Sequence, residues 1–443
     1  LLLVSGAPEV VLAKCKGQKT KDEEWQKKFK KYGQQSYRLV GFAYKRIPTS
    51  PPNRRLRGAS KIQNSDLEGL EWLGILVYED PIRSGVKAAL EECQQAGIKV
   101  KVITGDYLPT ALSILEKLGL KAKSKTMTGE ELEKTSQAEF KKKVSDIVLF
   151  ARTNPEQKLK IVEALRDNGE VVAMTGDGVN DAPAIKAADI GIVVGEASDV
   201  AKETADMVLL DSNFATIVHA VEEGRNIFEN IRKVILYLLS DSFTEVILIG
   251  GSLLLRLPLP LRAAQILWIN LVEDTLPDLA LAFEPEEKEV MEEPPRPKNQ
   301  PILNTEMKIL IFIIGIITDL ILLGLYFYLR RGLFHLHYVR TVIFAALAID
   351  SLFYVFSCRS LRKTFFHEHP FANKILNMAV LVSFLFLFMA IYWPPVQAFL
   401  GTHSLGINEW LLVISLGLFE ILAVEITKWV FIVQRRHRRL VIR

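Results

Sequence analysis

Cysteine is scarce. Cys15, Cys93 and Cys358 are the only three in 443 residues, and none lies near another in the sequence. That spacing excludes a disulfide scaffold and a cysteine-built zinc site. A dominant charge is missing as well. Lys+Arg number 55 against 51 Asp+Glu, and a net charge of +4 gives no ground for a nucleic-acid partner. No initiator Met opens the chain, and its first apolar run, Leu1–Val4, is too short for a secretory signal or a span. The run reads as an interior strand with its beginning cut away, so the sequence is expected to be part of a longer protein. Disorder and fibrous structure are excluded by 49% hydrophobic residues. A mean hydropathy of +0.18 beside 24% charged residues points instead to segregation into a soluble and a membrane part. Residues 1–230 are charged and mixed, and long apolar runs recur from Val234 onward.

In the soluble part, residues 70–214 alternate short β-rich runs with amphipathic stretches, which predicts a mostly parallel α/β sheet. The predicted strands are Trp72–Tyr78, Ile98–Ile103, Ile147–Phe150, Val171–Met174, Ile190–Val194 and Met207–Leu210. Helices are predicted at Val86–Gln95, Leu108–Leu118 and Gln157–Asp167. The first 65 residues form a separate piece, with a charged helix over Lys16–Lys31, strand-like stretches in Ser36–Ile47 and an exposed turn at Ser50–Asn53. Pro8 falls in the first turn of a further helix.

Ligands in open α/β sheets bind beyond the carboxyl ends of strands. One predicted strand runs into Thr104-Gly105-Asp106, and another into Thr175-Gly176-Asp177-Gly178-Val179-Asn180-Asp181-Ala182-Pro183. A single Thr-Gly-Asp is an ordinary turn. The longer string is more specific, because it concentrates two Asp and one Asn on one glycine-rich loop. Bare backbone there can approach phosphate, and Asp oxygens are hard ligands suited to Mg²⁺. Lys158, at the start of a helix after another strand, is either a solvated surface residue or a group that neutralises phosphate.

Six apolar stretches are long enough to span a bilayer: Val234–Leu255, Leu259–Phe283, Ile309–Leu329, Thr341–Ser357, Leu376–Tyr392 and Trp410–Val433. An even number places the soluble part and the basic tail Arg435-Arg436-His437-Arg438-Arg439 on the same, cytoplasmic side, with Arg330-Arg331 a mild exception. The first stretch holds Asp241, Ser242 and Glu245, and the second Asn270, Glu273 and Asp274, with Pro277 three residues on. Asp241 and Glu245 share a helix face. A proline at 277 interrupts the ladder and frees carbonyl oxygen. Carboxylates, amides, hydroxyls and carbonyls together suit a hard cation, and no His or Cys joins them to favour a soft metal. Asp319, Asp350, Glu420 and Glu425 read equally as packing contacts or ligands.

These residues resemble the P-type cation-transporting ATPases, across essentially the whole chain. Thr175–Pro183 is similar to their hinge motif, Gly6-Ala7-Pro8-Glu9 to the end of Lys-Gly-Ala-Pro-Glu, and Asp80-Pro81-Ile82-Arg83 to Asp-Pro-Pro-Arg. Thr104-Gly105-Asp106 matches the Thr-Gly-Asp motif, Lys158 the phosphate-contacting lysine, and Arg38 a nucleotide-contacting arginine. Trp268-Ile269-Asn270-Leu271 with Asp274 and Leu276-Pro277 resembles the ion-binding sixth helix of the type II, calcium- and sodium-pump branch.

The resemblance implies a haloacid-dehalogenase-like α/β phosphorylation domain plus an all-α membrane domain of six helices, the family's helices five to ten. Residues 1–65 are then the remnant of a nucleotide-binding domain, 66–230 the phosphorylation domain and 231–443 the membrane domain. It further implies ATP as substrate and Mg²⁺ as cofactor, held by Asp177. Lys158, Thr104, Gly105 and Asp106 serve the phosphoryl group, and Asn180 and Asp181 order the loop. Gly6, Ala7, Arg38, Asp80 and Arg83 serve the nucleotide, and Ser242, Glu245, Asn270, Glu273, Asp274 and Asp350 the transported ion.

The phosphorylated Asp-Lys-Thr-Gly-Thr, helices one to four and the actuator domain are not in this sequence, and are expected from a missing N-terminal half, in the same or a separate chain. Ser5 replaces the motif's Lys, Ser242 a fifth-helix Asn and Glu273 a sixth-helix Thr. Calcium is the first ion to expect, with protons, a monovalent cation or a non-pumping relative as alternatives. A membrane-tethered phosphatase would need an Asp-x-Asp pair at a strand end, and none stands in that setting.

Overall fold

The computed structural model describes residues 1–16, 19–34, 37–46, 67–79, 81–120, 125–332, 334–365 and 371–442. The turn predicted at Ser50–Asn53 and the candidate Asp80 lie outside them. Two compact units emerge, residues 1–221 with 291–298, and residues 222–290 with 299–443.

The first unit opens with an antiparallel sheet ordered β1 (Leu2–Gly6), β2 (Arg38–Lys45), β3 (Glu71–Tyr78). Between β1 and β2 lie α1 (Pro8–Ala13), which has proline in its first turn, and α2 (Lys19–Gln34). A side chain at Gly41 of β2 would collide with the Pro8 backbone at 2.7 Å and the Trp72 ring at 2.8 Å, so glycine lets α1 lie against the sheet. The predicted strand Trp72–Tyr78 is therefore real but belongs here, antiparallel to β2, and not to the parallel sheet. Leu73, Leu76, Val77 and Tyr78 are exposed, whereas a parallel strand needs both faces covered.

The rest of the unit alternates strand and helix: α3 (Val86–Gln95), β4 (Val102–Ile103), α4 (Leu108–Lys117), β5 (Thr126–Thr128), α5 (Gly129–Lys134), α6 (Gln137–Lys143), β6 (Leu149–Ala151) and α7 (Pro155–Asp167). Then come β7 (Ala173–Gly176), α8 (Ala182–Ala187), β8 (Ile190–Val194), α9 (Asp199–Thr204) and β9 (Met207–Leu209). Every pairing is parallel, in the orders β4–β6–β5 and β7–β8–β9. Ile103 and Val172 each pack against both the Phe150–Ile161 cluster and the Met174–Val193 cluster, so the two sheets share a core. β4 is shorter than predicted, because only its last two residues pair with β6. Three-residue β5 is too short to show alternation in the sequence.

The second unit is helical. Its elements are α10 (Phe214–Leu254, which begins in the first unit), α11 (Ala263–Trp268), α12 (Thr275–Ala282), α13 (Thr305–Ile309), α14 (Ile316–Arg331), α15 (Leu336–Cys358), α16 (Lys374–Tyr392), α17 (Pro394–Leu400) and α18 (Ile407–Ile442). Among the described residues five helices are long and apolar enough to cross a membrane. They take in five of the six predicted stretches. The other, Leu259–Phe283, is not one helix: a π-turn at Ile269–Glu273 separates α11 from α12. The predicted proline effect is the reason. Pro277 has no N–H for the Glu273 carbonyl four residues back, and the Ser383 hydroxyl of α16 donates to it instead, at 2.6 Å. α12 is pinned at its far end, where Glu284 meets Arg359 at 2.6 Å and Asn373 at 2.7 Å.

Two apolar cores divide this unit. One contains Leu248, Ile269, Leu322, Ile349, Leu387 and Val413, and the other Tyr237, Ala280, Ile311, Val355, Val380 and Val424. Each of α10, α14/α13, α15, α16 and α18, and the broken α11–α12 pair, contributes to both cores. Each crosses a layer between them, and that layer is where the membrane acids sit.

Candidate functional site

In the first unit the Thr175–Pro183 string leaves β7 and enters α8. Asp177 and Asn180 are exposed at its rim, while Asp181 is buried beneath. Asp181 Oδ1 receives the Lys158 ammonium at 2.6 Å. Lys158 stands at the first turn of α7, which is fixed by a reciprocal cap: Asn154 Oδ1 accepts from Gln157 N at 2.8 Å, and Gln157 Oε1 from Asn154 N at 3.0 Å. Gly176 is required by this packing, since a Cβ there would lie 2.7 Å from Asp181 Cβ. The two sequence candidates Lys158 and Asp181 are thus one ion pair.

Thr104 follows Ile103 out of the same core that contains Met174, so both Thr-Gly-Asp turns leave one core. Its hydroxyl accepts from Asp106 N at 3.0 Å, and its carbonyl accepts from Thr153 N at 3.2 Å. Arg152, to which sequence reasoning assigned no role, braces this turn. Its backbone is left-handed, at φ +56°. Its guanidinium donates to the Gly105 carbonyl at 3.1 Å and pairs with Glu9 of α1. Glu9 stands in the first turn of α1, two residues after Ala7, which caps α1, and three after Gly6 at the end of β1. Arg152 therefore ties the nucleotide candidates Gly6 and Ala7 to the Thr104 turn. Arg38 is exposed, 4.0 Å from Asp106. Arg83 is turned toward the Ser212 carbonyl, and among the described residues no ion pair or hydrogen bond joins it to Gly6, Ala7 or Arg38.

In the helical unit, Asp274 follows the π-turn and is buried. Its Oδ1 accepts from Tyr237 of α10 at 3.1 Å and from Ser351 of α15 at 2.5 Å, while its Oδ2 has no partner. Asp241 lies within hydrogen-bond range of Asp274, and Glu245, one turn on, reaches Asn270. Glu273 is fully buried with both carboxylate oxygens unpartnered. Ser242 departs from prediction: it is exposed on α10, and the neighbouring Asp241 takes the place beside Asp274. Asp350 turns instead toward Glu420 of α18. Glu425 is structural, bound to Lys428 at 2.8 Å and to Phe365 N at 2.7 Å. Sequence reasoning missed Tyr237, Ser351 and Ser383, because a hydroxyl in an apolar run carries no spacing signal.

Between the residues that bound the two cores, the helix segments 238–247, 270–279, 312–321, 350–354, 381–386 and 414–423 contain no Lys, Arg or His. They contain Asp241, Glu245, Glu273, Asp274, Asp278, Asp319, Asp350 and Glu420. Buried carboxylates without basic partners are tolerated only when protons or cations neutralise them. Among the described residues no three His, Cys, Asp or Glu side chains are grouped closely enough to hold a metal ion as they stand.

The family model "Cation transporting ATPase, C-terminus" matches residues 258–430, and "haloacid dehalogenase-like hydrolase" matches residues 7–189. The chain is 43% identical to a calcium-transporting ATPase of Bacillus subtilis over 86% of its own length and 42% of that relative. It is 38% identical to the calcium-transporting ATPase type 2C member 2 of Mus musculus, over 84% of this chain and 40% of the relative. The figures for calcium-transporting ATPase 1 of Schizosaccharomyces pombe are 38%, 84% and 42%. The chain thus spans less than half the length of these curated relatives.

Proposed function

The chain belongs to the P-type cation-transporting ATPases, in the type II branch, and from that premise we propose that it forms the phosphoryl-handling and ion-binding part of a pump that uses ATP to move Ca²⁺ across a membrane. The observation that carries this reading is the acid layer. Carboxyl groups from α10, the π-turn and α12, α14, α15 and α18 lie between two apolar cores, with no basic side chain in those segments. Such a layer is costly unless it binds positive charge. Oxygen-only donors suit Ca²⁺. Asp274, Asp241, Glu245, Asn270 and Glu273 are the proposed cargo ligands, and they must draw together around the ion.

Phosphoryl chemistry is assigned to the soluble unit. Lys158, held by Asp181, presents its ammonium to phosphate oxygens, and the Thr104 turn supplies a hydroxyl. Asp177 is exposed at the rim of the loop, and its oxygens fit Mg²⁺. When bound there, Mg²⁺ would offset phosphate charge. Residues 1–65, to which β3 adds the third strand, are assigned to the nucleotide, 66–230 to phosphoryl transfer and 231–443 to ion passage. The acceptor aspartate, the actuator domain and helices one to four are assigned to the part of the relatives that this chain does not span. The soluble unit and the C-terminus are placed on the cytoplasmic side.

The test is Ca²⁺ titration of the chain in lipid nanodiscs. Saturable binding should weaken at least about tenfold in Asp274→Asn, equivalent to about 1.4 kcal/mol. Binding of Na⁺ or K⁺ alone would replace calcium with a monovalent cargo. Absence of any cation binding would contradict the reading.

A further inference from the structure

The connections α10–α11, α14–α15 and α16–α18 fall at one end of the helical unit, beside the core that contains Leu261, Leu329, Val339, Leu400 and Leu405. Segments 255–262, 328–341 and 391–410 at that end contain Arg256, Arg262, Arg330, Arg331 and Arg340 but a single acid, Glu409. Glu409 is already engaged by the Tyr338 hydroxyl at 2.7 Å and by Gly406 N at 2.8 Å. The basic tail follows α18, which starts at this end and finishes at the other. These arginines are therefore not the cytoplasmic charge that sets orientation, and they call for a separate reason.

Three of them converge. Arg340 of α15 has Arg262 and Arg330 within electrostatic reach, and its Nε donates to the Leu259 carbonyl at 2.9 Å. Arg262, just before α11, donates to His337 Nδ1 at 3.1 Å, and the His403 ring stands 6.0 Å from that of His337. Gly401 closes α17 at φ +68°, where a side chain would collide with the Arg262 guanidinium. Arg330 donates to the Phe334 carbonyl at 3.1 Å, and its Nε is buried without a partner. Among the described residues none of the three guanidinium groups has a carboxylate partner. Three like charges held together repel, and an anion among them removes that repulsion. Phosphate suits the place, since guanidinium forks match its oxygens and each fork uses only one nitrogen in the contacts above.

Aromatic residues at the same end give the depth. The Trp410 ring stacks on Phe388 at 5.1 Å, and its Nε1 donates to the Tyr392 hydroxyl at 2.7 Å. Tyr392 in turn donates to the Leu405 carbonyl at 2.7 Å, and Tyr328 and Trp393 are exposed. Trp and Tyr collect at the headgroup level of a bilayer, so the guanidinium groups stand at the depth of lipid phosphates. We propose that Arg262, Arg330 and Arg340 form a binding site for the phosphate headgroup of an anionic phospholipid, at the end of the helical unit away from the basic tail. The phosphate ties together the ends of α11, α14 and α15. The site requires only that the helical unit lies in a bilayer, and so holds or fails apart from the identity of the transported ion.

Native mass spectrometry tests it, with the chain released from nanodiscs of equal parts phosphatidylglycerol and phosphatidylcholine. The wild-type chain should retain phosphatidylglycerol in preference. Arg330→Gln and Arg340→Gln should each weaken that retention at least about tenfold, the loss expected of one charge-assisted contact. Arg331 is the control, since it is exposed and stacks on the Phe327 ring at 4.3 Å. Arg331→Gln removes the same charge at the same level and should leave retention unchanged. Equal losses in all three variants, or no preference for phosphatidylglycerol, overturn the proposal. Excess inorganic phosphate should not displace the lipid; displacement would make a soluble anion the ligand and overturn the lipid assignment. Circular dichroism establishes whether the variants fold. If they do not, phenylglyoxal labelling of the wild-type chain decides. Arg262, Arg330 and Arg340 should be protected in phosphatidylglycerol nanodiscs relative to phosphatidylcholine ones, while Arg331 reacts in both, and equal labelling overturns the site.

Discussion

Asp181 is buried and pairs with Lys158, with no other basic partner among the described residues, so the two residues should behave as one unit. Breaking a buried pair by removing one partner costs about 3 kcal/mol, because the other charge is stranded. Lys158→Met should therefore lower the unfolding free energy of the soluble part by about that amount, and adding Asp181→Asn should restore part of it. Additive losses in chemical denaturation would show that the residues act separately. Gly176→Ala acts on the same pair, since the new methyl takes space used by Asp181. The sequence marked Lys158 and Asp181 as separate candidates. Their 23-residue separation hides the pairing, which arises only when α7 and the β7 loop meet. Arg152 was less legible still, because its bracing of Gly105 depends on a left-handed backbone that an Arg rarely adopts.

The broken helix is the element whose behaviour the sequence foretold best. Pro277 beside two acids predicted an interrupted ladder, and the π-turn is that interruption. The donor that satisfies the Glu273 carbonyl is Ser383, on a helix more than a hundred residues later, where no local pattern could point to it. Ser383→Ala should cost about 1 kcal/mol, the ordinary net value of a hydrogen bond. In a Pro277→Ala background, where residue 277 regains its N–H, the same change should cost less. Equal losses in both backgrounds, measured by denaturant unfolding in detergent, would contradict this link.

In the soluble unit Asp189 joins the segments before β7 and β8 to Lys298. Burial disfavours its carboxylate, but the Val172 N–H, Lys298 and Arg166 outweigh burial and hold its pKa below the ordinary value. An unfolded Asp titrates near about 3.9, so this contribution is present above about pH 4 and is lost as pH falls through the lowered folded value. Asp189→Asn should flatten that part of the acid-unfolding curve, and an unchanged slope would contradict the assignment.

At the scale of the whole chain, the division into a charged α/β part and an apolar helical part was visible in composition alone. The parallel sheets also followed from strand and helix alternation, except where β3 joined the antiparallel sheet. The acid layer was visible only in fragments. Five of the six stretches showed between one and three acids and Leu376–Tyr392 none, and the common level of the acids appears only when the two cores stack the helices in register. That level explains why Asp241 replaces Ser242 and why Asp350 and Glu420 meet. It also bears on the proposed cargo role of Asp274, through carboxyls in segments that contain no basic side chain.

The most direct measurement is ATP-driven ⁴⁵Ca²⁺ uptake into sealed vesicles carrying the protein at the length its native cell makes it. The account predicts Mg²⁺-dependent uptake that is abolished by Asp177→Asn and by Asp274→Asn. Uptake that survives either substitution unchanged, or vesicles that never accumulate calcium, would contradict it.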